Sequence, residues 1–285
     1  MKNALYIECN SGISGDMVLG ALIDLGANVD LIKKELSKLS IHAEYLLIPN
    51  KKKKNGISGT DLDIVVKDKS QGNGSEDGED RLVKTNDSSI DSYVLHDYDY
   101  LPSQEEFLKK HEHSSFKSIK KMIEDSTLNA RVKKMAVNIF SVIAMAEAKV
   151  HGIEAEKVVF HEVGAVDSII DIVGTAIAID LLEVDRLYCS QVHDGTGFIE
   201  CRHGTIPVPV PAVMEMMKES NIPIIINENV KTEMVTPTGF GILEGLNAEF
   251  KTNLEIKIED IGYGFGDRET GLFNAVRVSL GKTAE

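Results

Sequence analysis

The chain of 285 residues carries 31 Lys and Arg against 45 Asp and Glu, a formal net charge of −14, with 42% hydrophobic residues. The acid excess argues against nucleic acid as the main partner, and the length suffices for one large domain or two small ones with a real core. No apolar run approaches the roughly 20 residues of a membrane span, and Cys9, Cys189 and Cys201 are too few and scattered for a disulfide framework, so a cytoplasmic protein without leader or membrane partner is expected.

Ala4 to Cys9 reads as a strand, followed by the tight run Asn10-Ser11-Gly12-Ile13-Ser14-Gly15-Asp16-Met17. Val18 to Leu25 has helical apolar spacing, and Gly26 stops it. A helix over Val29 to Leu39 and a strand near Ala43 to Ile48 come next, then a basic turn, Lys51 to Lys54, and a strand over Leu62 to Val66. From about residue 67 to 92 the chain turns to Gly, Ser, Asn, Asp and Glu, a composition that predicts an acidic disordered insertion without chemistry of its own. Tyr93 to His113 has no resolved pattern, and its His96, His111 and His113 read as solvated beside the insertion.

Lys117 to Val150 is helical in pattern, with Ser126 or Thr127 as a cap and an apolar stripe through Val132, Met135, Ile139 and Ala146. Val158 to Asp167 leads into an apolar helix that starts near Gly164 and runs to Leu182. Strands over Arg186 to Val192 and Phe198 to Arg202 flank the turn Asp194-Gly195-Thr196-Gly197. Pro207, Pro209 and Pro211 exclude a central strand and start a methionine-rich helix. Asn221 to Ile226 reads as a strand, Thr236-Pro237-Thr238-Gly239 opens a helix to about Leu246, and strands over Leu254 to Ile261 and Asn274 to Leu280 close the chain. The expected fold is α/β, with α+β open: a mixed sheet with packed helices in one domain over residues 1–285.

Four constellations can carry chemistry. Ser11, Gly12, Ser14 and Gly15, in a turn between a strand and a helix N-terminus, offer hydroxyls and backbone N–H groups to an anion. Asp16 beside them repels a bare phosphate but suits a metal ion bridging one; it equally suits a plain helix cap. His161, Glu162, Asp167 and Asp171 form the densest group. Asp167 and Asp171, four apart on one helix, share a face, and a cation or basic partner is what makes such a pair tolerable. An imidazole among carboxylates suits nickel or zinc, whereas the alternative is a solvated acidic stripe.

His193 and His203, brought near one sheet end by the Gly turn, are a third candidate metal pair, with Cys201 two positions before His203 on the same strand face. Thr236, Thr238 and Gly239 at a helix start are the fourth, a phosphate seat or simply an N-cap.

Asn10 to Met17, Phe160-His161-Glu162-Val163-Gly164-Ala165-Val166-Asp167-Ser168-Ile169-Ile170-Asp171, Gly204 to Pro209 and Val235 to Gly239 occur in this order, and together they resemble the nickel insertion proteins of the LarC family. The resemblance spans nearly the whole chain apart from the insertion. It implies a nickel chelatase (cyclometallase) of the lyase class. Such an enzyme inserts nickel into pyridinium-3,5-bisthiocarboxylic acid mononucleotide, at the expense of CTP with magnesium or manganese, to form the nickel-pincer nucleotide of lactate racemase.

Residue types then assign His161, Glu162 and Asp167 to catalysis, with His161 as the base because its ordinary pKa lies near neutrality. Asp16, His161, Asp167, Asp171, His193 and His203 are the candidate metal ligands. Ser11, Gly12, Ser14, Gly15, Thr236, Thr238 and Gly239 are the candidate substrate-phosphate contacts. The chain departs from the family pattern at Val159, where a His is usual, and at Glu8, where Asp is usual. The family also continues into a C-terminal domain, so a separate C-terminal chain is the expected partner, and oligomers are open. The alternatives are a non-catalytic, substrate-presenting subunit and a metal-dependent phosphoryl hydrolase.

Overall fold

A computed structural model describes residues 1–41, 45–67, 82–84, 114–160, 166–201 and 203–284. Most of the expected insertion, His96, His111, His113, and the pair His161 and Glu162 lie outside the described residues.

In chain order the elements are β1 (Lys2–Cys9), α1 (Gly15–Asp24), α2 (Val29–Leu36), β2 (Tyr45–Lys54), β3 (Ile57–Lys67) and β4 (Leu82–Lys84). There follow α3 (Phe116–Asp125), α4 (Ala130–His151), a 3₁₀ turn (Ala155–Lys157), α5 (Val166–Leu181), β5 (Arg186–Asp194), β6 (Gly197–Cys201) and β7 (Gly204–Val208). The last are α6 (Pro211–Glu219), β8 (Ile224–Ile226), α7 (Pro237–Gly245), β9 (Glu249–Phe250), β10 (Lys257–Phe265) and β11 (Ala275–Thr283). The expected mixed sheet with packed helices is what forms, and Pro211 and Pro237 each sit in the first turn of a helix, where the missing N–H costs nothing.

The large sheet runs β2-β3-β10-β11-β1-β5-β8, with β4 beside β3 and β9 beside β5. β1 lies parallel to β5 and antiparallel to β11, so the sheet is mixed at its centre. β6 and β7 form a separate hairpin.

Helix α1 packs directly on the sheet through glycines of β10. A methyl group on Gly264 would stand 1.8 Å from the Met17 carbonyl oxygen, and one on Gly262 would stand 2.3 Å from that of Ala21. Against the other side of α1 packs α5, where Gly174 admits Leu19. Ile170, Ile172, Val173 and Ala176 of α5 are buried to at most 0% exposure, so this helix is a core element and the solvated-stripe alternative fails for most of its faces. Helix α4 backs α5, α6 and α7.

Two local expectations shift. The single helix read over 117–150 is two, because Ser126 ends α3 by donating its hydroxyl to the Ile123 carbonyl, and Asn129, not Ser126 or Thr127, caps α4 by accepting from Val132 N–H at 2.9 Å. The basic run Lys51 to Lys54 is not a turn but the end of β2, paired with residues 57–60 across the turn at Asn55 and Gly56. Helix α5 is described from Val166, and its expected start near Gly164 lies outside the described residues.

Candidate functional site

The loop after β1 is fastened to the segment that enters α7. Ile13 N–H donates to the Met234 carbonyl at 2.9 Å, and Thr236 N–H donates to the Ile13 carbonyl at 3.0 Å. Gly12 takes φ +86°, and a Cβ there would come within 2.0 Å of the Met234 carbonyl oxygen, so only glycine permits this approach. Gly239 repeats the device from the other side: a methyl on it would lie 2.2 Å from the Ile13 carbonyl oxygen. Two motifs more than 200 residues apart in sequence thereby become one unit.

The hydroxyls within that unit are engaged locally. Ser14, at the N-cap position of α1, donates to Asp16 Oδ1 rather than accepting from the helix. Thr236 Oγ1 accepts from Gly239 N–H at 3.1 Å and caps α7. Ser11 and Thr238 are buried.

Helix α5 meets this unit at its own first turns. A methyl on Gly15 would stand 2.6 Å from Asp171 Oδ2 and 2.7 Å from Thr238 Cγ2, so Gly15, Asp171 and Thr238 pack at one point. The start of α1 is therefore already approached by a carboxylate, and a bare anion there would meet like charge. Asp171 is 8% exposed. Its Oδ1 and the Oδ1 of Asp167 are buried without a hydrogen-bond partner among the described residues.

Burial lifts the Asp171 carboxyl well above its ordinary range, and the negative charges of Asp16 and Asp167 add to the lift. Burial likewise raises Asp167, against hydrogen bonds from the backbone of Ser168 and its own amide. Asp16 is pushed up to about 6, chiefly by desolvation and further by Asp267, while the Ser14 hydroxyl pulls the other way. Asp16, Asp167 and Asp171 thus share one electrostatic field, and the exposed Asp267, after β10, extends it. Buried carboxylate oxygens left unsatisfied are donors of the kind a hard divalent cation such as magnesium or manganese takes, but Asp16, Asp167 and Asp171 do not stand in the spacing of a formed metal site.

Immediately before His161, Val158 and Phe160 are buried, with the Phe160 ring edge-to-face with Phe116 and tilted against Phe140. Val159 bridges to Ser115, and Phe160 N–H donates to the Ser114 carbonyl at 2.9 Å. On the far side of the undescribed residues 161–165, α5 begins with Asp167 in its first turn.

The other predicted residues divide. His193 sits on β5 of the large sheet, its Nε2 3.3 Å from Gln191 Nε2. His203 sits at the tip of the β6–β7 hairpin, a separate sheet, so the two histidines do not share a sheet end. The reason lies in the Gly turn: a Cβ on Gly195 would come within 2.1 Å of the Thr232 carbonyl oxygen, and Thr196 N–H donates to the Val230 carbonyl, which ends the β5 ladder. His203 instead places its ring 5.0 Å from that of His151. Among the described residues, no three His, Cys, Asp or Glu side chains have the spacing of a ready-made metal site.

Sequence reasoning overlooked Asp194. Its side chain is fully buried, and Oδ1 accepts from the N–H groups of Gly195 at 2.8 Å, Met234 at 2.8 Å and Val235 at 3.2 Å. It holds the very residues that clasp the first loop. Burial raises its pKa, against those three donors and Arg268. Arg268 in turn pairs with the buried Glu233 at 2.7 Å. An Asp directly before a Gly-x-Gly turn was the available signal.

A profile of the family described as nickel insertion protein matches residues 5–285. The pyridinium-3,5-bisthiocarboxylic acid mononucleotide nickel insertion protein of Acetivibrio thermocellus is 45% identical over 99% of this chain and 61% of its own length. Proteins of the same description from Clostridium acetobutylicum and Lactiplantibacillus plantarum are each 42% identical, over 98% and 97% of this chain and 64% and 61% of their own lengths. The chain thus spans about three fifths of the length of the curated relatives it matches. No solved structure matches it. Among the described residues, no helix is long and apolar enough to cross a membrane.

Proposed function

The chain belongs to the nickel insertion protein family, and on that footing we propose that it takes part in CTP-dependent insertion of nickel into pyridinium-3,5-bisthiocarboxylic acid mononucleotide. The observation that carries this reading is Asp171 at the point where both glycine-rich motifs meet, its Oδ1, like that of Asp167 four residues earlier on α5, buried without a hydrogen-bond partner among the described residues. Buried like charges without partners are costly, and a site that keeps them is arranged for a positively charged occupant.

In this reading Asp16, Asp167 and Asp171 would hold magnesium or manganese, which when bound offers a seat for phosphate where bare carboxylates would repel it. Ser11, Gly12, Ser14, Gly15, Thr236, Thr238 and Gly239 shape the wall against which the anionic mononucleotide lies. Their tight packing fixes the wall's position, and the Thr236 hydroxyl, which accepts from Gly239 N–H, keeps its own proton to donate to the ligand. Nickel is the substrate cation. Forming its bond to ring carbon releases a proton, which His161 is proposed to take, with Glu162 and Asp167 as the other proposed catalytic residues. The remaining length of the relatives, which this chain does not span, is proposed to complete the activity.

The test is nickel insertion measured with CTP and manganese, with and without that remaining length supplied as a second polypeptide. His161→Ala and Asp167→Ala should each abolish insertion in whichever format is active. Insertion unaffected by both substitutions would refute the assignment.

A further inference from the structure

We infer that Arg268 is a substrate-contact residue, its guanidinium being the positive charge that this chain offers to the phosphate of the pyridinium mononucleotide. That the anion is this mononucleotide rests on the function proposed above; the placement of the guanidinium beside the site rests on its contacts alone.

Arg268 lies in the connection between β10 and β11, and contacts on either side of it reach the loops that form the site. A methyl on Gly266 would stand 2.8 Å from Sδ of Met17, the residue after Asp16, and the negative charge of Asp267 acts on Asp16 itself. Arg268 Nη2 pairs with Glu233 Oε2 at 2.7 Å, and Nη1 donates to the Glu233 carbonyl at 3.3 Å. Glu233 directly precedes Met234, whose carbonyl takes the Ile13 N–H. The guanidinium is thereby held against the segment that fastens the two glycine-rich motifs together.

The connection is also tied to itself and to the sheet. Asn274 Nδ2 donates to the Arg268 carbonyl at 2.9 Å, Gly266 N–H donates to the Asn274 carbonyl at 3.3 Å, and Lys54 at the end of β2 donates to the Gly266 carbonyl. Arg268 is thus presented from a fixed backbone.

Burial divides the ion pair unevenly: the Glu233 side chain is 5% exposed and that of Arg268 is 47%. A buried carboxylate therefore fixes one edge of the guanidinium while much of the side chain faces solvent. The planar fork carries five N–H donors, more than the two contacts with Glu233 use, and its geometry matches two oxygens of a phosphate. The neighbours are acidic. Glu233 is its partner, Asp267 precedes it, and the buried Asp194 carboxyl feels its charge. Among them an anionic ligand needs a cation supplied by the chain, and Arg268 stands where that cation is needed.

The test is titration calorimetry of the full chain, with manganese present. Two ligands are compared: nicotinic acid mononucleotide, which is a pyridinium ribose phosphate, and the nucleoside that lacks the phosphate. The wild-type chain should prefer the mononucleotide by about tenfold or more, and Arg268→Gln should weaken the mononucleotide by about tenfold while leaving the nucleoside unchanged. Arg268→Lys keeps the charge and loses the fork, so its loss should fall between the two. Because Arg268→Gln leaves Glu233 buried without this partner, Arg268→Gln is also combined with Glu233→Gln. The combined variant should regain stability in denaturant but not mononucleotide affinity. Arg186→Gln, paired across from Ala4 at the far end of β1, should bind both ligands as the wild type does.

Neither nickel nor an insertion step enters this measurement, so its failure and the failure of the insertion reading are separate results. CTP is titrated as the competing anion, and a loss in Arg268→Gln confined to CTP would overturn the assignment to the mononucleotide. Equal wild-type affinity for mononucleotide and nucleoside, an equal loss for both ligands in Arg268→Gln, unchanged mononucleotide affinity in that variant, or its recovery in the combined variant would overturn the inference.

Discussion

Gly15 and Asp171 are packed so closely that a single methyl on the glycine would lie 2.6 Å from the carboxylate oxygen Oδ2 and 2.7 Å from Asp171 Cβ. Gly15→Ala must push α5 or the Thr238 side chain aside. The expected cost is about 1–3 kcal/mol of stability, as for overpacked cores, read as a lower midpoint in denaturant. A wild-type midpoint would show that the helices are not in this contact.

The acidic group at this contact makes stability depend on pH with a definite sign. Asp16 titrates near 6 in the folded chain against an ordinary 3.8, so the folded state takes up its proton first as pH falls. The stability contributed by this group is full below the ordinary value, declines as pH rises between the two, and is gone above about 6. Metal-free wild type should therefore lose more stability than Asp16→Asn between pH 4 and pH 7. Asp171 and Asp167 are raised as well and act in the same direction. Saturating manganese should stabilise the chain more at pH 7.5 than at pH 5.5, because protons compete with the ion. Thermal unfolding across that range decides it, and equal manganese shifts at both pH values would count against a carboxylate site.

Asp194 holds three backbone donors with one oxygen. Asp194→Ala leaves Gly195, Met234 and Val235 N–H groups buried without a partner, at a cost of about 3 kcal/mol. Asp194→Asn keeps an acceptor oxygen and removes a buried charge, so it should cost much less. Chemical denaturation of the two variants separates the hydrogen bonds from the charge; equal losses would assign the effect to the charge.

Thr236 acts as an N-cap, so Thr236→Ala should destabilise by about 1 kcal/mol while Thr236→Ser should be close to wild type. A Thr236→Ala variant with unchanged stability but weakened mononucleotide binding, measured calorimetrically, would give the hydroxyl to the ligand instead.

The elements that depend on local pattern were legible in the sequence. The strand-loop-helix opening, the proline-started helices α6 and α7, and the buried character of α5 follow from spacing, turn residues and apolar runs. The break between α3 and α4 was not, because Ser126, Thr127 and Asn129 are all competent caps and only packing selects among them. Of the candidate site, Asp171 and Thr238 do pack on Gly15, next to Asp16, and Asp167 lies four residues before Asp171 on α5. His193 and His203 do not come together, since the Gly turn was read as joining two strands of one sheet, whereas Gly195 and Thr196 fold the chain onto residues 230–232. The role of Asp194 was hidden because its partners lie 40 residues away, and the His151–His203 contact because it joins a helix end to a hairpin tip.

The ladder between β1 and β11 pairs Lys2 with Thr283 and Glu8 with Arg277, with the Glu8 carboxylate gripping the Arg277 guanidinium through two bonds. During synthesis the first strand leaves the ribosome without its neighbour on that side, and its other neighbour, β5, follows only after about 180 residues. Its apolar edge must wait. The loop that carries Gly15 and Asp16 hangs from that same strand, so its contact with Asp171 forms only once α5 has been made. Contacts this distant in sequence slow the search for the native state and leave the edge open to wrong partners meanwhile. Protection of Leu5 and Ile7 amides in pulsed hydrogen exchange should accordingly appear among the last during refolding.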